Sequence, residues 1–578
     1  MDSKISDCFP IPTSKKEMKA LGWDFADIIL VTGDAFIDHP SFGTAVIARV
    51  LLDQGYKVAV VPQPNWRDDL RDFKKLGEPR LFFGVNSGVM DSMINHYTAN
   101  KRLRSNDAYS PDGLSGRRPD YAVTVYSRIL KELYPDKPVV IGGVEASLRR
   151  FTHYDYWQNC IKPSVLVDSG ADWLVYGMGE KSIVELAYKI SEGVSEEVIR
   201  RTNQIAYISN KAESFFRESI TLGSFEECKK NSRVFADNFR IIESESNSWS
   251  PKHLIEPYND IFVHVTPPWP QLSSKEIDEI YDLPYTRKPH PRYGYKHIPA
   301  YEMIKFSINT HRGCFGSCAF CTISAHQGKF VQSRSEKSIL KEAEKITKME
   351  SFKGVISDMG GPSANMYKMS GRDLTKCHVC RRDSCIFPGI CSNLNISHNS
   401  LIELYERVCE IKGIRRAFIG SGIRYDLFLN ENGFIDESGK DYFEKVIKNH
   451  TSGWFKVAPE HTEEHVLKAM GKPSFRLFER LKNEFAEYTS KEGLRHKIIP
   501  YFISSHPACK LEDMRKLAQN PNLKDIALEQ VQDFTPTPMT RSSVIYYSGI
   551  DPKTLKYMFV EKNPIMKQKQ KSFFFNKK

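Results

Sequence analysis

Three cysteines stand at C-x3-C-x2-C spacing within eight residues, Cys314-Phe315-Gly316-Ser317-Cys318-Ala319-Phe320-Cys321. Thiolates crowded in this way are the usual ligands of iron–sulfur clusters, and a full cubane site takes four of them. No fourth cysteine follows at similar spacing. A cubane held here would therefore keep one iron open, free to chelate a substrate or cofactor. Gly313 and Gly316 let the backbone turn tightly enough to point three sulfurs at one centre. The competing assignment is a structural zinc held by the three thiolates and a histidine, His311 or His326. Against it, zinc hooks usually come as two separated C-x2-C-like pairs.

A second group, Cys377-x2-Cys380-x4-Cys385-x5-Cys391, places four cysteines in fifteen residues. Large apolar residues are few in this segment, so a metal is expected to hold it folded. Two assignments stay open: a second, fully ligated iron–sulfur cluster that relays electrons or binds substrate, and a structural zinc, which accepts four thiolates equally well. His378 reads as a bystander. Seven of the twelve cysteines lie between Cys314 and Cys391, and Cys8, Cys160, Cys228, Cys409 and Cys509 are scattered. A disulfide framework would spread its pairs through a small secreted domain; local crowding in a large chain points to metal.

The first motif, with an aromatic residue (Phe320) just before its last cysteine, resembles the radical S-adenosylmethionine (SAM) signature. The flanking stretches Ser307-Ile308-Asn309-Thr310-His311-Arg312-Gly313 and Ser324-Ala325-His326-Gln327-Gly328 resemble the YgiQ family within that superfamily, and the resemblance runs over nearly the full length. It implies a [4Fe–4S] cluster on Cys314, Cys318 and Cys321, whose open iron binds the amino and carboxylate groups of SAM. It also implies reductive cleavage of a sulfonium C–S bond to a 5′-deoxyadenosyl radical, and a low-potential electron donor of flavodoxin or ferredoxin type. That chemistry is the cofactor's; the protein positions and shields it.

The resemblance extends to other candidate residues. Gly360-Gly361-Pro362 resembles the superfamily's G-G-E motif, with Pro362 in place of the glutamate, so Gly360 and Gly361 are expected to meet the methionyl amino group through backbone alone. Ser421 and Arg424, in Ser421-Gly422-Ile423-Arg424, are candidates for the SAM ribose or carboxylate, Arg424 as a bidentate partner. In Ala458-Pro459-Glu460-His461, Glu460 is a candidate for the ribose, and His461 either transfers protons or belongs to a structural pair. The substrate is not indicated. Two other functions are weighed: an RNA- or protein-modifying, methylthiotransferase-like enzyme, and a non-catalytic iron–sulfur or zinc binding protein.

These residues need elements to carry them. Strand-like runs at 303–309, 354–358, 416–420, 454–457, 497–503 and 526–531 alternate with helical stretches. In one of these, 335–349, Ile339, Leu340, Ala343 and Ile346 share a face and Ser333 with Glu336 fits a capping box. Another, 463–470, is closed by Gly471 and Pro473. Six βα repeats predict a partial parallel (β/α)6 barrel with its chemistry at the C-terminal strand ends, and the three cysteines follow the first strand. Gln530 to Pro538 ends the sixth strand and is expected to close the site.

Ahead of the barrel, apolar runs ending in glycine alternate with helical faces. Runs at 27–33, 57–61, 81–84, 122–125, 138–143 and 173–177 predict buried parallel strands of a doubly wound sheet. Ligands in such sheets sit beyond the C-terminal strand ends. Here those ends carry Gly33-Asp34, Gly142-Gly143 with Glu145, and Gly177 with Gly179-Glu180. This half resembles the cobalamin-binding domain that precedes many radical SAM barrels. The D-x-H-x-x-G cobalt loop of that family is not matched in spacing by Asp38-His39-Pro40-Ser41-Phe42-Gly43. The fold is therefore expected without cobalamin, and His39 as a plain loop histidine. The loop 98–118 reads as a solvated connection or a lid.

The expected organisation is an arm at 1–26, a doubly wound α/β domain (flavodoxin/cobalamin-binding-like) at 27–195, and a proline-rich linker or strap at 196–300. A radical SAM barrel follows at 301–540 with its cysteine-rich insertion at 371–395, and then a C-terminal extension with a basic, frayed tail at 541–578. The 243–251 stretch reads as a loop. At 578 residues, 40% hydrophobic and 26% charged, the composition is that of a globular protein. No apolar run is long enough to span a bilayer and residues 1–12 lack a signal-peptide core, so a cytoplasmic protein is expected. The net charge of +11 allows a nucleic-acid partner and is explained equally well by a mildly basic enzyme surface.

Overall fold

The computed structural model describes residues 9–212, 214–524, 526 and 531–575. Its first half is built on one nine-stranded sheet. Five strands, in the order Val58–Pro62, Ile28–Thr32, Phe82–Asn86, Val139–Ile141, Trp173–Val175, are parallel. In chain order this is 2-1-3-4-5, the flavodoxin-like winding, whose direction reverses between the strands Ile28–Thr32 and Phe82–Asn86. The strand Ile28–Thr32 is buried at every position, as a parallel strand covered on both faces must be. Helices Gly43–Asp53 and Glu180–Ser191 lie side by side on one face.

Several expectations are corrected. Residues 196–300 are not a linker: the strands Ile205–Ser209, Ile261–Val265, His253–Tyr258 and Ser219–Thr221 extend the same sheet. The stretch 243–251 is not all loop, because the helix Ser232–Ser246 runs into it with Phe235, Ala236, Phe239 and Ile242 buried. Polar residues on the outer face hid that period. The run 122–125 is not a strand but the start of the helix Ala122–Leu133. Its apolar tetrad was too short to show a period, and the helical one appears only when Tyr126 and Leu130 are included. From residue 9 on, the N-terminal arm is docked, with the helix Lys15–Ala20 burying Met18. The loop 98–118 is tied down by Arg118, buried between Asp34 at 2.8 Å and Asp107 at 3.0 Å.

The second half is the partial barrel. Ser307–Asn309 pairs in parallel with Asp358–Gly360, and Val355–Ile356 with Arg416–Ala417. Ile423 bridges to Val457, and Trp454–Glu460, Lys497–Ser504 and Val531–Asp533 complete the series, all parallel. The expected first strand 303–309 is shortened, because Pro299 starts a helix, Pro299–Ile304, ahead of it. The sixth strand is described from Val531; residues 527–530, including Gln530, lie outside the described residues. The helix Glu336–Thr347 is capped by Ser335 rather than by Ser333. The basic tail is not frayed as far as it is described. In the helix Pro564–Phe575, Gln570 accepts a bond from the Ser505 amide at 2.9 Å and Lys567 donates to the Tyr156 hydroxyl at 3.0 Å.

Candidate functional site

The cysteine loop leaves the first barrel strand through a short hairpin, with His311 opposite Ser333 and Arg312 opposite Gln332. The loop between them is thus closed at its base. Gly313 turns it with φ +83°, and a Cβ there would lie 2.3 Å from the Phe330 carbonyl oxygen. Only glycine fits both demands. The Cys314 amide donates to the Gly328 carbonyl and the Cys321 amide to that of Cys318. The Ala319 amide reaches the Met470 carbonyl at 2.8 Å, and the Ala319 carbonyl accepts from Ser542 at 2.9 Å. The loop is therefore pinned to the barrel at Met470 and to the C-terminal extension at Ser542.

These bonds bring Cys314, Cys318 and Cys321 to the mouth of the barrel. Burial raises the Cys314 thiol, and pushes that of Cys321 up to about 12 with the neighbouring Cys318 adding to it. Such thiols give up their protons when a cation is bound, which is how thiolate sites load metal. Among the described residues, the one trio of potential metal ligands with all donor atoms within 4.8 Å is Glu463, His465 and Asp513. His311 has its Nδ1 on the Thr310 hydroxyl at 2.8 Å. The donor set of three neighbouring thiolates suits an iron–sulfur cluster.

The other candidates take defined places. Gly360 and Gly361 end the second strand, and the Thr310 amide donates to the Gly360 carbonyl at 2.8 Å. A Cβ on Gly361 would sit 2.6 Å from the His311 ring. The Ser421 hydroxyl donates to Asp358 at 2.6 Å, and Asp358 also takes the Gly420 and Ser421 amides. The Arg424 fork, expected to be free for a carboxylate, is already engaged: Nε and Nη2 donate to Asp426 at 3.0 and 2.5 Å, and Nη1 points at the Cys318 sulfur at 3.4 Å. Glu460 has left-handed backbone, φ +68°. Its carboxyl is raised by burial, with Lys472 3.7 Å away opposing that. Strain of this kind gathers at functional sites. His461 is turned inward, accepting the Glu463 amide at 3.0 Å with Nε2 near the Cys509 sulfur at 3.5 Å. Burial holds its pKa down at about 3, and both ring nitrogens face buried neighbours. Phe320 packs edge-on against His506.

Sequence reasoning missed Ser363, 3.6 Å from the Cys314 sulfur, as well as Asp358, Asp426 and Lys472. Asp426 stands two residues after Arg424 and could have been suspected as its partner; nothing local marks Lys472.

Between this mouth and the sheet lies a cavity of about 310 Å3. Gly142, Gly143, Gly177 and Gly179 line it from the strand ends, and His311 and Gly361 from the barrel. Buried His311 Nε2 and Glu180 Oε2 have no hydrogen-bond partner there. Glu180 Oε1 accepts from Arg312 at 2.6 Å, joining the two halves. Asp34 and Glu145 are structural instead: Asp34 is paired with Arg118, and Glu145 accepts the Ser92 and Val123 amides. His39 is buried outside the lining with Nδ1 on the Ser41 amide. With such a cavity present at the strand ends, the loop spacing no longer decides against cobalamin, and that expectation is withdrawn.

The four cysteines of the insertion also converge. Burial raises Cys377, and pushes Cys385 up to about 11, with Cys380 and Cys391 close enough to each to add to the shift.

The family described as Radical SAM N-terminal matches residues 10–307. A UPF0313 protein of Bacteroides thetaiotaomicron is 54% identical over 98% of this chain and 93% of its own length. The chain belongs to the UPF0313 family. This is the YgiQ family resembled by the sequence, and a radical SAM enzyme of this kind works with a [4Fe–4S] cluster, SAM and an electron donor. Another UPF0313 protein, from Clostridium perfringens, is 45% identical over 97% of this chain and 84% of its own. Among solved structures, the radical SAM methyltransferase TsrM from Kitasatospora setae, with cobalamin and a [4Fe–4S] cluster bound, gives a TM-score of 0.47 at 16% identity over 89% of this chain and 73% of that one. The cobalamin-dependent SAM radical enzyme OxsB gives 0.49 at 11% identity over 89% and 54%. No helix among the described residues of this UPF0313 chain is long and apolar enough to cross a membrane.

Proposed function

We propose that Cys314, Cys318 and Cys321 hold the [4Fe–4S] cluster of this enzyme, and that SAM lies against Gly360, Gly361, Ser421 and Glu460. The observation that carries the reading is the convergence of three partly buried thiols, with no fourth beside them among the described residues, next to the glycine turn that ends the neighbouring strand. Cluster and SAM together supply a 5′-deoxyadenosyl radical, which removes a hydrogen atom from the substrate. Arg424 places its positive charge on the Cys318 sulfur and is held there by Asp426. Ser421, whose proton goes to Asp358, keeps its lone pairs for a SAM hydroxyl. Glu460, 3.7 Å from the Lys472 ammonium, accepts from the ribose with its other oxygen. The substrate occupies the cavity, where His311 Nε2 and Glu180 Oε2 await polar partners.

Anaerobic reconstitution followed by dithionite and SAM tests this. Wild type releases 5′-deoxyadenosine, detected by chromatography, and Cys318→Ala does not; no product from wild type, or equal product from the variant, refutes the reading. Incubation with hydroxocobalamin followed by gel filtration examines the corrinoid question: corrin absorbance eluting with the protein gives the cavity to cobalamin and displaces the substrate from it.

A further inference from the structure

The insertion touches the cysteine loop. The Phe315 carbonyl, one residue after Cys314, accepts hydrogen bonds from the Cys385 amide at 3.0 Å and the Ser384 hydroxyl at 3.1 Å. Phe315 is also the hub of a small apolar core shared with Met366, Met369, Ile386 and Leu394, against which Cys314, Cys385 and Cys391 all pack. The path from Cys314 to Cys385 is one peptide unit, one carbonyl and one hydrogen bond, which limits the Cα–Cα separation to about 11 Å.

Around the insertion's own cysteines the structure is built for an occupant. A cavity of about 60 Å3 is bordered by Cys377, Cys385 and Cys391 and walled by Trp249, Phe315 and Phe330. Trp249 stacks on His378 and meets Phe330 edge-on. The Cys377 sulfur accepts from the Asn393 side-chain Nδ2 and the Cys380 sulfur from the Arg382 backbone N–H, each at 3.4 Å. Such bonds offset negative charge on thiolates and tune a cluster's potential. Buried Lys329 adds a positive charge beside Cys385 while its ammonium donates to the Arg382 carbonyl. The thiols converge on one space, and four thiolates are the full ligand set of an iron–sulfur cluster. Val379, between Cys377 and Cys380, is 78% exposed, so this end of the group lies at the surface; the cysteines of both groups are themselves partly buried.

We infer that Cys377, Cys380, Cys385 and Cys391 bind a second, fully ligated iron–sulfur cluster that passes electrons to the cluster at Cys314, Cys318 and Cys321. Four thiolates leave no open iron, so this cluster binds neither SAM nor substrate. The transfer makes and breaks no bond. A one-electron donor protein of flavin or iron–sulfur class reduces the outer cluster, which is then reoxidised as the inner one is reduced. The relay rests on the proposed function; the binding of the second cluster does not.

The full chain carrying Cys314→Ala, Cys318→Ala and Cys321→Ala together, reconstituted anaerobically with iron and sulfide, isolates the second site. Retention of two to about four irons with matching sulfide, and a dithionite-reduced EPR signal that SAM leaves unmoved, supports it. One zinc with no sulfide, or no metal at all in a folded chain, overturns it. In the wild type, the reduced EPR spectrum is expected to show broadening from two neighbouring spins; a plain sum of two isolated signals overturns the adjacency. For the relay, the ratio of donor-driven to dithionite-driven SAM cleavage is compared between wild type and Cys385→Ala. A fall of about tenfold or more supports the relay and an unchanged ratio overturns it. Absence of dithionite-driven cleavage in wild type would instead refute the proposed function and leave the metal analysis standing.

Discussion

The sharpest test of the SAM cradle is Gly361→Ala. The added methyl would lie 2.6 Å from both Cε1 and Nε2 of His311 and 2.9 Å from Cδ2. The ring cannot swing away cheaply, because it is buried and its Nδ1 is bonded to the Thr310 hydroxyl at 2.8 Å. Overpacking of this kind costs about 1–3 kcal/mol. If the strain is relieved by shifting the Gly360–Gly361 turn away from bound SAM, the affinity falls by roughly 5- to 140-fold. Gly422→Ala is the control, since nothing lies within 4 Å of a Cβ there. The assay is SAM affinity of the reconstituted enzyme, read from its effect on the cluster's EPR signal. His311→Ala in the Gly361→Ala background removes the clash, so the double-mutant cycle should return most of the loss as coupling. Wild-type SAM affinity in Gly361→Ala, or a loss that His311→Ala fails to relieve, would refute the reasoning.

Two further outcomes follow from buried charge. Glu256 is buried with Oε2 on the Thr152 amide at 2.8 Å and Oε1 unpartnered, and burial pushes its carboxyl up to about 7. A raised acid contributes stability that is complete below its ordinary value near 4.5 and is lost as pH rises to 7, a loss of about 3 kcal/mol. Glu256→Gln should therefore unfold at a higher temperature than wild type at pH 8.5, with the margin closing toward pH 4.5; a margin that does not change with pH contradicts this. Arg312 and Glu180 form a buried pair at 2.6 Å between barrel and sheet. Arg312→Met alone should cost about 3–5 kcal/mol in thermal unfolding, most of it recovered with Glu180→Gln, because the cost is the charge left unpaired.

What the sequence determined was local. The spacing of Cys314, Cys318 and Cys321 lies within one loop, so composition and glycine placement suffice to mark it. The runs 27–33, 57–61 and 173–177 are apolar on both faces, which only a covered parallel strand requires. Families of such strands with helices between them have few ways to fold, and the two-part architecture was legible on that account. The extension of the sheet by Ile205–Ser209 and its neighbours was not, since short strands flanked by proline and serine read as linker until their pairing partners are known.

Only the tertiary structure decided who meets whom. Arg424 is committed to Asp426 and Cys318, and Glu460 faces Lys472 rather than His461. The adjacency of the two cysteine groups through Phe315 spans about seventy residues of chain. Side-chain types and local spacing record what a residue can do, because covalent geometry and propensity are short-ranged. Partners distant along the chain are chosen when the sheet and barrel close on each other, and the energy of that closure is spread over buried surface that no single motif contains.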